Sequence, residues 1–140
     1  MENLKINTSA LLKVAPLAAL AAAAINAVLY FIGDAAGLMD KTVGMPGPDG
    51  TVQAITVLPV LISSIIPVLL GAGLLALLNR FTANPLRIYG IVTIVMLVLF
   101  AANPFMAIPN MPMDMGIWLN VMHLVVGGAA WYAYSRYTKK

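Results

Sequence analysis

The candidates for chemistry in this sequence are one histidine, a few asparagines and serines, and a short methionine-rich run. His123 lies in NVMHLVVGG, where no acidic residue stands within five positions on either side. An imidazole can bind a metal, relay a proton or donate a hydrogen bond. Without an acidic partner it is a poor proton relay, and it is at most half of a bis-histidine haem site. We therefore expect no bound cofactor.

A small set of polar residues accompanies the histidine within otherwise apolar segments: Asn26, Ser63, Ser64, Asn103, Asn120 and His123. Two interpretations remain open. The residues either form interhelical hydrogen bonds, each contributing about 0.6 kcal/mol, or they line a polar pocket in the outer half of the membrane that binds a solute or an ion. We favour hydrogen bonding, and we expect His123 to bond Asn26, Ser63 or Ser64 on another span.

Small residues recur on two helices at the spacing of one helical face. The first set is Ala15, Ala19, Ala22, Asn26 and Gly33, and the second is Gly116, Asn120, His123, Gly127 and Ala130. Small side chains let the backbones of membrane helices approach each other closely. Both stripes are therefore expected to face other helices rather than lipid.

The run MPMDM places three thioethers, Met111, Met113 and Met115, at alternating positions. Thioethers are soft ligands that select Cu(I), so these residues form a candidate metal site. The alternative is that methionine only fills gaps in a core, as it does in many proteins.

The surrounding elements belong to a membrane protein. Hydrophobic residues make up 61% of the 140 residues and charged residues 9%, whereas soluble domains are about half apolar and about a quarter charged. A spanning helix needs roughly 20 apolar residues. Four segments qualify, at about 14–32, 55–78, 86–105 and 115–134. The first is uncharged and longer than a signal-peptide core, so we interpret it as a retained helix.

Prolines and loops refine this single four-span domain, residues 1–140. Pro16 is expected in the first turn of its helix, where its missing N–H costs nothing. Pro67 lies deeper and is expected to kink the second helix. The long connection at 33–54 contains GMPGPDG, which predicts either an irregular loop or a short hairpin.

Charge sets the expected orientation. Seven of the eight basic residues fall at the two termini or between the second and third spans: Lys5, Lys13, Arg80, Arg87, Arg136, Lys139 and Lys140. Basic residues concentrate on the cytoplasmic side. The sequence thus predicts an all-α, four-helix antiparallel bundle in the bacterial cytoplasmic membrane, with both termini inside. The aromatic residues near the span ends, including Tyr30, Trp118 and Tyr134, are expected to form an interfacial belt.

The chain contains no cysteine, which excludes disulfides, thiolate metal sites and dithiol redox chemistry. No catalytic dyad is visible, so we do not expect an enzyme. The basic residues are too dispersed for a nucleic-acid partner. The expected partners are the lipid bilayer and either further copies of the chain or a larger membrane complex. An accessory or assembly-forming role is favoured, and an oligomeric transporter or channel for a small solute or an ion, copper included, is the alternative.

Several segments resemble a bacterial family of small four-span membrane proteins of unknown function, some of which are labelled as cell-envelope biogenesis proteins. These segments are INAVLYFIG, LISSIIPVLLGAGLLALLNR followed by NP, and MHLVVGG. The resemblance covers about residues 14–131 and includes Asn26, Ser63–Pro67, Gly71, Pro85 and Met122–His123. It implies a fold and a location, but no activity. The MPMDM run departs from the family pattern, which weakens copper binding as a family-wide role.

Overall fold

The computed structural model describes residues 4–140. The first three residues, for which the sequence predicts a cytoplasmic location, lie outside the described residues. The described chain is mostly helical and contains four long apolar helices that could cross a membrane. In chain order the elements are α1 (Thr8–Ala35), β1 (Gly44–Pro46), β2 (Val52–Ala54), α2 (Val57–Phe81), α3 (Pro85–Ala101), α4 (Asn103–Ala107) and α5 (Met113–Tyr137). The third span is formed by α3 and α4 together.

The first helix begins earlier than its apolar segment suggests. Asn7 is its N-cap, and the side-chain oxygen of Asn7 accepts a hydrogen bond from the backbone N–H of Ala10 at 3.1 Å. Pro16 consequently lies inside α1 rather than in its first turn, and the expectation for Pro16 was wrong. The uncharged apolar run begins only after Lys13. The helix itself begins earlier because its N-cap stabilises a first turn outside that run.

The small-residue stripe of α1 forms the centre of the fold, where α1 packs most extensively against α2 and α5. All five of its predicted positions, from Ala15 to Gly33, are buried. At Gly33, an added Cβ would collide with the indole of Trp118 on α5. This stripe therefore lets the three helices approach closely, as the sequence predicted.

The third helix packs on the periphery of that group. Its buried residues are confined to its beginning: Pro85, Leu86, Tyr89 and Gly90. The rings of Tyr89 and Trp131 stack there, with centroids 6.4 Å apart. From Ile91 to Ala101 no residue of α3 is buried.

The connection between α1 and α2 forms a short hairpin, which decides between the two sequence-based alternatives. β1 pairs with β2 in antiparallel register, with Met45 opposite Gln53. We call this end of the molecule, with residues 36–56 and 106–112, the hairpin end.

The opposite end joins both terminal segments to the end of α2, and we call it the termini end (residues 4–7, 79–84 and 138–140). Ile6 forms a β-bridge with Lys139. The amide side chain of Asn79 accepts from the Ile6 N–H at 2.9 Å and donates to the Ile6 carbonyl at 3.2 Å. The described start and end of the chain therefore lie side by side.

Candidate functional site

A buried asparagine lies where α1, α2 and α5 meet. Asn26 is 1% exposed. Its Nδ2 donates to Ser64 Oγ on α2 at 2.9 Å and to the backbone carbonyl of Met122 on α5 at 3.1 Å. We call Asn26, Ser64 and the carbonyl of Met122 the polar junction. One amide thus connects three helices.

The polar junction has one unsatisfied acceptor. The Ser64 hydroxyl donates to the carbonyl of Val60 one turn earlier, at 2.7 Å. The hydroxyl proton is therefore not available to Asn26, and Asn26 Oδ1 has no hydrogen-bond partner among the described residues. Leaving a buried acceptor unpaired costs about 1–3 kcal/mol. This carbonyl oxygen could accept a further hydrogen bond from a donor placed between the three helices.

Ser63 does not belong to the junction. It is exposed, and its hydroxyl donates to the carbonyl of Val60 at 3.1 Å. The two serines therefore bond the same backbone carbonyl of their own helix, an arrangement that often accompanies helix bending. The helix α2 continues through Pro67, and the expected bend there stays a prediction.

His123 lies elsewhere, and the partner expected for it was wrong. Its Nδ1 is 3.4 Å from Oδ1 of Asn120 on its own helix, rather than near Asn26, Ser63 or Ser64. Since the amide oxygen of Asn120 can only accept, a hydrogen bond at this distance requires the tautomer in which His123 Nδ1 carries the proton. His123 is half-buried. Its position one residue after Met122 turns it away from the face that meets Asn26, because successive helical residues differ by about 100°.

Asn120 has a structural task at the end of α3. Its Nδ2 donates to the carbonyl of Ala101 at 2.9 Å. The helical hydrogen-bond pattern is interrupted there because Pro104 has no backbone N–H to donate. The N–H of Phe105 bonds Ala102 instead, which leaves the Ala101 carbonyl free for Asn120. Asn103 begins α4 and is exposed, so it lies outside both polar groups.

The small-residue stripe of α5 faces the third span. An added Cβ at Gly116 would collide with Phe105 on α4, and one at Gly127 would lie 2.9 Å from Leu97 on α3. We call this contact, with Asn120 and His123, the α3–α5 seam. The two faces of α5 are therefore distinct: one meets α1 and α2, and the other meets the third span.

The sequence interpretation missed three aromatic side chains that tie helices together. Trp118 Nε1 donates to the carbonyl of Leu29 at 3.0 Å. The hydroxyl of Tyr134 donates to the carbonyl of Val68 at 2.7 Å, and that of Tyr30 to the carbonyl of Ile55 at 3.2 Å. Tyr30 and Tyr134 are buried against other helices, and the interfacial belt stays a prediction. A signal was available for Trp118, which lies four residues, about one helical turn, before Met122 and therefore shares its face of α5.

The three methionines of MPMDM have different surroundings. Met115 is buried in an apolar cluster with Tyr30, Met39 and Met122, and Met111 packs against its edge. Met113 is 68% exposed. Two of the three thioethers therefore take part in the core at the hairpin end, and the third projects from it. Copper binding by this run stays a prediction.

A charged group holds the hairpin end to α1. Lys41 Nζ lies 2.6 Å from the carboxylate of Asp34 and donates to the hydroxyl of Tyr30 at 2.8 Å. Asp34 first, and Tyr30 second, raise the pKa of Lys41. Next to it, the Thr42 hydroxyl and the Thr42 N–H donate to Asp40, and these bonds lower the pKa of Asp40.

Comparison with known proteins identifies the family but no activity. A model of the DUF6069 family, described as a family of unknown function, matches residues 7–140. The chain belongs to this family. The four apolar helices agree with the resemblance to small four-span membrane proteins of unknown function. No curated protein and no solved structure matches the chain.

Proposed function

We propose that this chain is a non-catalytic accessory subunit of the bacterial cytoplasmic membrane. In this proposal it folds as a four-helix antiparallel bundle with both termini in the cytoplasm, and it assembles with another copy or another membrane protein through α3. The observation that carries the proposal is the difference in burial between the helices. Nine residues of α1 are buried, whereas α3 has none beyond Gly90.

The exposed stretch of α3 is suited to a partner helix. Ile94 is 64% exposed, and Val98 and Leu99 are similarly open. The start of the helix is held by the stacking of Tyr89 on Trp131, and its end by the hydrogen bond of Asn120. One side of the helix between these points contacts no other helix of the described residues. Membrane helices associate through van der Waals packing of such surfaces. The polar groups nearby are used in hydrogen bonds, and the described acidic residues lie at or next to the hairpin end, which supports a role without catalysis.

Photo-cross-linking tests the assembly. The chain has no native cysteine, so a photoreactive maleimide labels only the cysteine that is introduced. Ile94→Cys and Val98→Cys labelled in this way should give covalent products in native membranes, whose mass distinguishes a second copy from a different subunit. Leu20→Cys on α1, at a matched exposure of 61%, is the control. Equal products from the control and from α3, or none from α3, would contradict the proposal.

Cysteine labelling from outside the cell tests the orientation. Thr51→Cys in the hairpin should react with a membrane-impermeant reagent in intact cells, and Lys140→Cys only after lysis. The support is the distribution of charge: seven of the eight basic residues lie at or near the termini end, and the described acidic residues lie at or beside the hairpin end. Labelling of Thr51→Cys only after lysis would reverse the orientation.

A small-solute or ion carrier is the second candidate, and the unpaired Asn26 Oδ1 favours it. A carrier would use this acceptor to hold a polar solute between three helices. Wild-type protein in proteoliposomes should then transport a small polar solute or an ion. Loss of this transport in a folded Asn26→Leu variant would support the function. Flux that Asn26→Leu leaves unchanged would remove the polar junction from the pathway.

A further inference from the structure

A groove of about 700 Å³ runs along the outside of the contact between α1 and α5. Its floor consists of small residues, among them Ala18, Ala21, Gly128 and Ala129. Apart from the hydroxyls of two tyrosines, the side chains that line it are apolar. A Cβ added at Gly128 would meet no atom within 4 Å, so the groove is open at its floor.

The length of the groove matches one leaflet of a bilayer. On α1 the lining residues run from Val14 to Ile25, and on α5 from Val125 to Tyr137. At 1.5 Å per residue both sides extend about 17 Å, roughly half of the 30 Å hydrocarbon core. A spanning helix of a partner would need a surface along the whole core. The groove instead fits a chain that enters from one membrane surface and ends near the middle.

The surface from which the groove starts is positively charged. Arg136 follows Ala129 by seven residues and Tyr132 by four, which places it on the same face of α5. Lys13 directly precedes Val14 on α1, and both basic residues are exposed. The described acidic residues, Asp34, Asp40, Asp49 and Asp114, lie at or beside the other end of the molecule. Guanidinium and ammonium groups at this position suit a phosphate, which Arg binds with bidentate hydrogen bonds.

We propose that the groove is a binding site for an anionic phospholipid of the leaflet at the termini end. One acyl chain lies on the floor formed by Ala18, Ala21 and Gly128, and the phosphate is held by Arg136 and Lys13. Apolar contact supplies the affinity for the chain, and the charge selects an anionic headgroup over a zwitterionic one.

Native mass spectrometry of the full chain tests the proposal, with phosphatidylglycerol and phosphatidylcholine as the probes. Wild-type protein should retain phosphatidylglycerol. Arg136→Gln should bind it about tenfold more weakly, which corresponds to about 1.4 kcal/mol, because the charge-assisted hydrogen bonds to the phosphate are lost. Arg87→Gln, which removes a charge at the start of α3 away from the groove, is the matched control and should bind as the wild type does. Equal retention of both lipids by wild-type protein would overturn the charge selection.

Filling the groove tests the acyl-chain site independently. Gly128→Leu should lose the bound lipid, whereas Gly73→Leu on α2, where an added Cβ also meets nothing within 4 Å, should keep it. Cooperative thermal unfolding of both variants is the control for correct folding. Retention of phosphatidylglycerol by a folded Gly128→Leu would overturn the site. The wild-type protein could also form a dimer without bound lipid. If Gly128→Leu converted such a dimer to a monomer, the groove would be the contact between two copies, and the lipid site would be overturned.

Discussion

Asn26 and Asn120 are the same residue type within two apolar helices, but the fold uses them differently. Asn26 is enclosed by three helices, and its amide nitrogen bonds a hydroxyl on α2 and a carbonyl on α5. Asn120 is half-buried at the α3–α5 seam, and its amide nitrogen caps the broken end of α3. The difference follows from the neighbouring helix surfaces: small residues bring α1, α2 and α5 into close contact, whereas α3 has no buried residue beyond Gly90. Depth in the membrane alone therefore does not assign a role to a polar residue.

Introducing a carboxylate at each asparagine gives the largest expected contrast. Asn26→Asp places an acid among apolar atoms with no cationic side chain of the described residues in contact, and we expect a loss of about 3 kcal/mol. Asn120→Asp removes the donor to Ala101, but its carboxylate lies beside the imidazole of His123, so we expect a loss of about 1 kcal/mol. Unfolding in mixed micelles, followed by tryptophan fluorescence, measures both. Equal losses would remove the distinction between the polar junction and the seam.

Enlarging the small-residue stripe tests the close contact of α1 directly. Ala22 is fully buried between helices, whereas Ala24 is exposed. Ala22→Leu should cost about 2 kcal/mol through overpacking, and Ala24→Leu should change the free energy of unfolding by less than about 0.5 kcal/mol. The same unfolding assay applies. An Ala22→Leu variant as stable as Ala24→Leu would show that the helices can separate without loss.

These contrasts also show which features the sequence could predict. Apolar length located four spans, and helical spacing identified the buried stripe of α1 because every residue in it, from Ala15 to Gly33, points to one side. Proline and glycine at residues 44–50 indicated a turn, and the hairpin forms there. Each of these signals is local, or repeats along one element, and does not require knowledge of the neighbour.

The partners of the polar residues could not be predicted in the same way. His123 and Met122 are adjacent in the chain, but only the carbonyl of Met122 reaches Asn26. A backbone carbonyl has no signature in the sequence, so its role as an acceptor becomes visible only when the rotation of α5 is known. Likewise, the use of Asn120 depends on a break in α3 caused by Pro104, a residue of another helix.

The histidine itself should contribute little. Its contact with Asn120 is long, 3.4 Å, and lies within one helix. We expect His123→Gln, which keeps a donor, to change the free energy of unfolding by less than about 0.6 kcal/mol. Unfolding of wild-type protein and variant in mixed micelles at neutral pH measures the difference. A much larger loss would give His123 a role that the seam does not explain.

The smallest expected effect concerns the charged contact between the hairpin end and α1. Lys41→Gln removes the contact of Lys41 with Asp34 and Tyr30. Exposed ion pairs contribute little to global stability, so the expected change is local: the hairpin should become more mobile. A fluorophore on Asp49→Cys, at the tip of the hairpin, should show lower anisotropy in the Lys41→Gln background at neutral pH.

The pH dependence of the same signal separates the ion pair from other causes. The pKa of Lys41 is raised above its ordinary value of 10.5 by Asp34 and Tyr30. The contact is therefore fully present at neutral pH and is lost as the pH rises above 10.5 through the raised value. Anisotropy of the wild-type label should fall in that alkaline range, whereas the Lys41→Gln background should already be low and stay constant. A label at Lys140→Cys, at the other end of the molecule, should not respond. If it falls together with the hairpin label, the transition is alkaline unfolding of the whole chain, and the contact of Lys41 with α1 does not hold the hairpin in place.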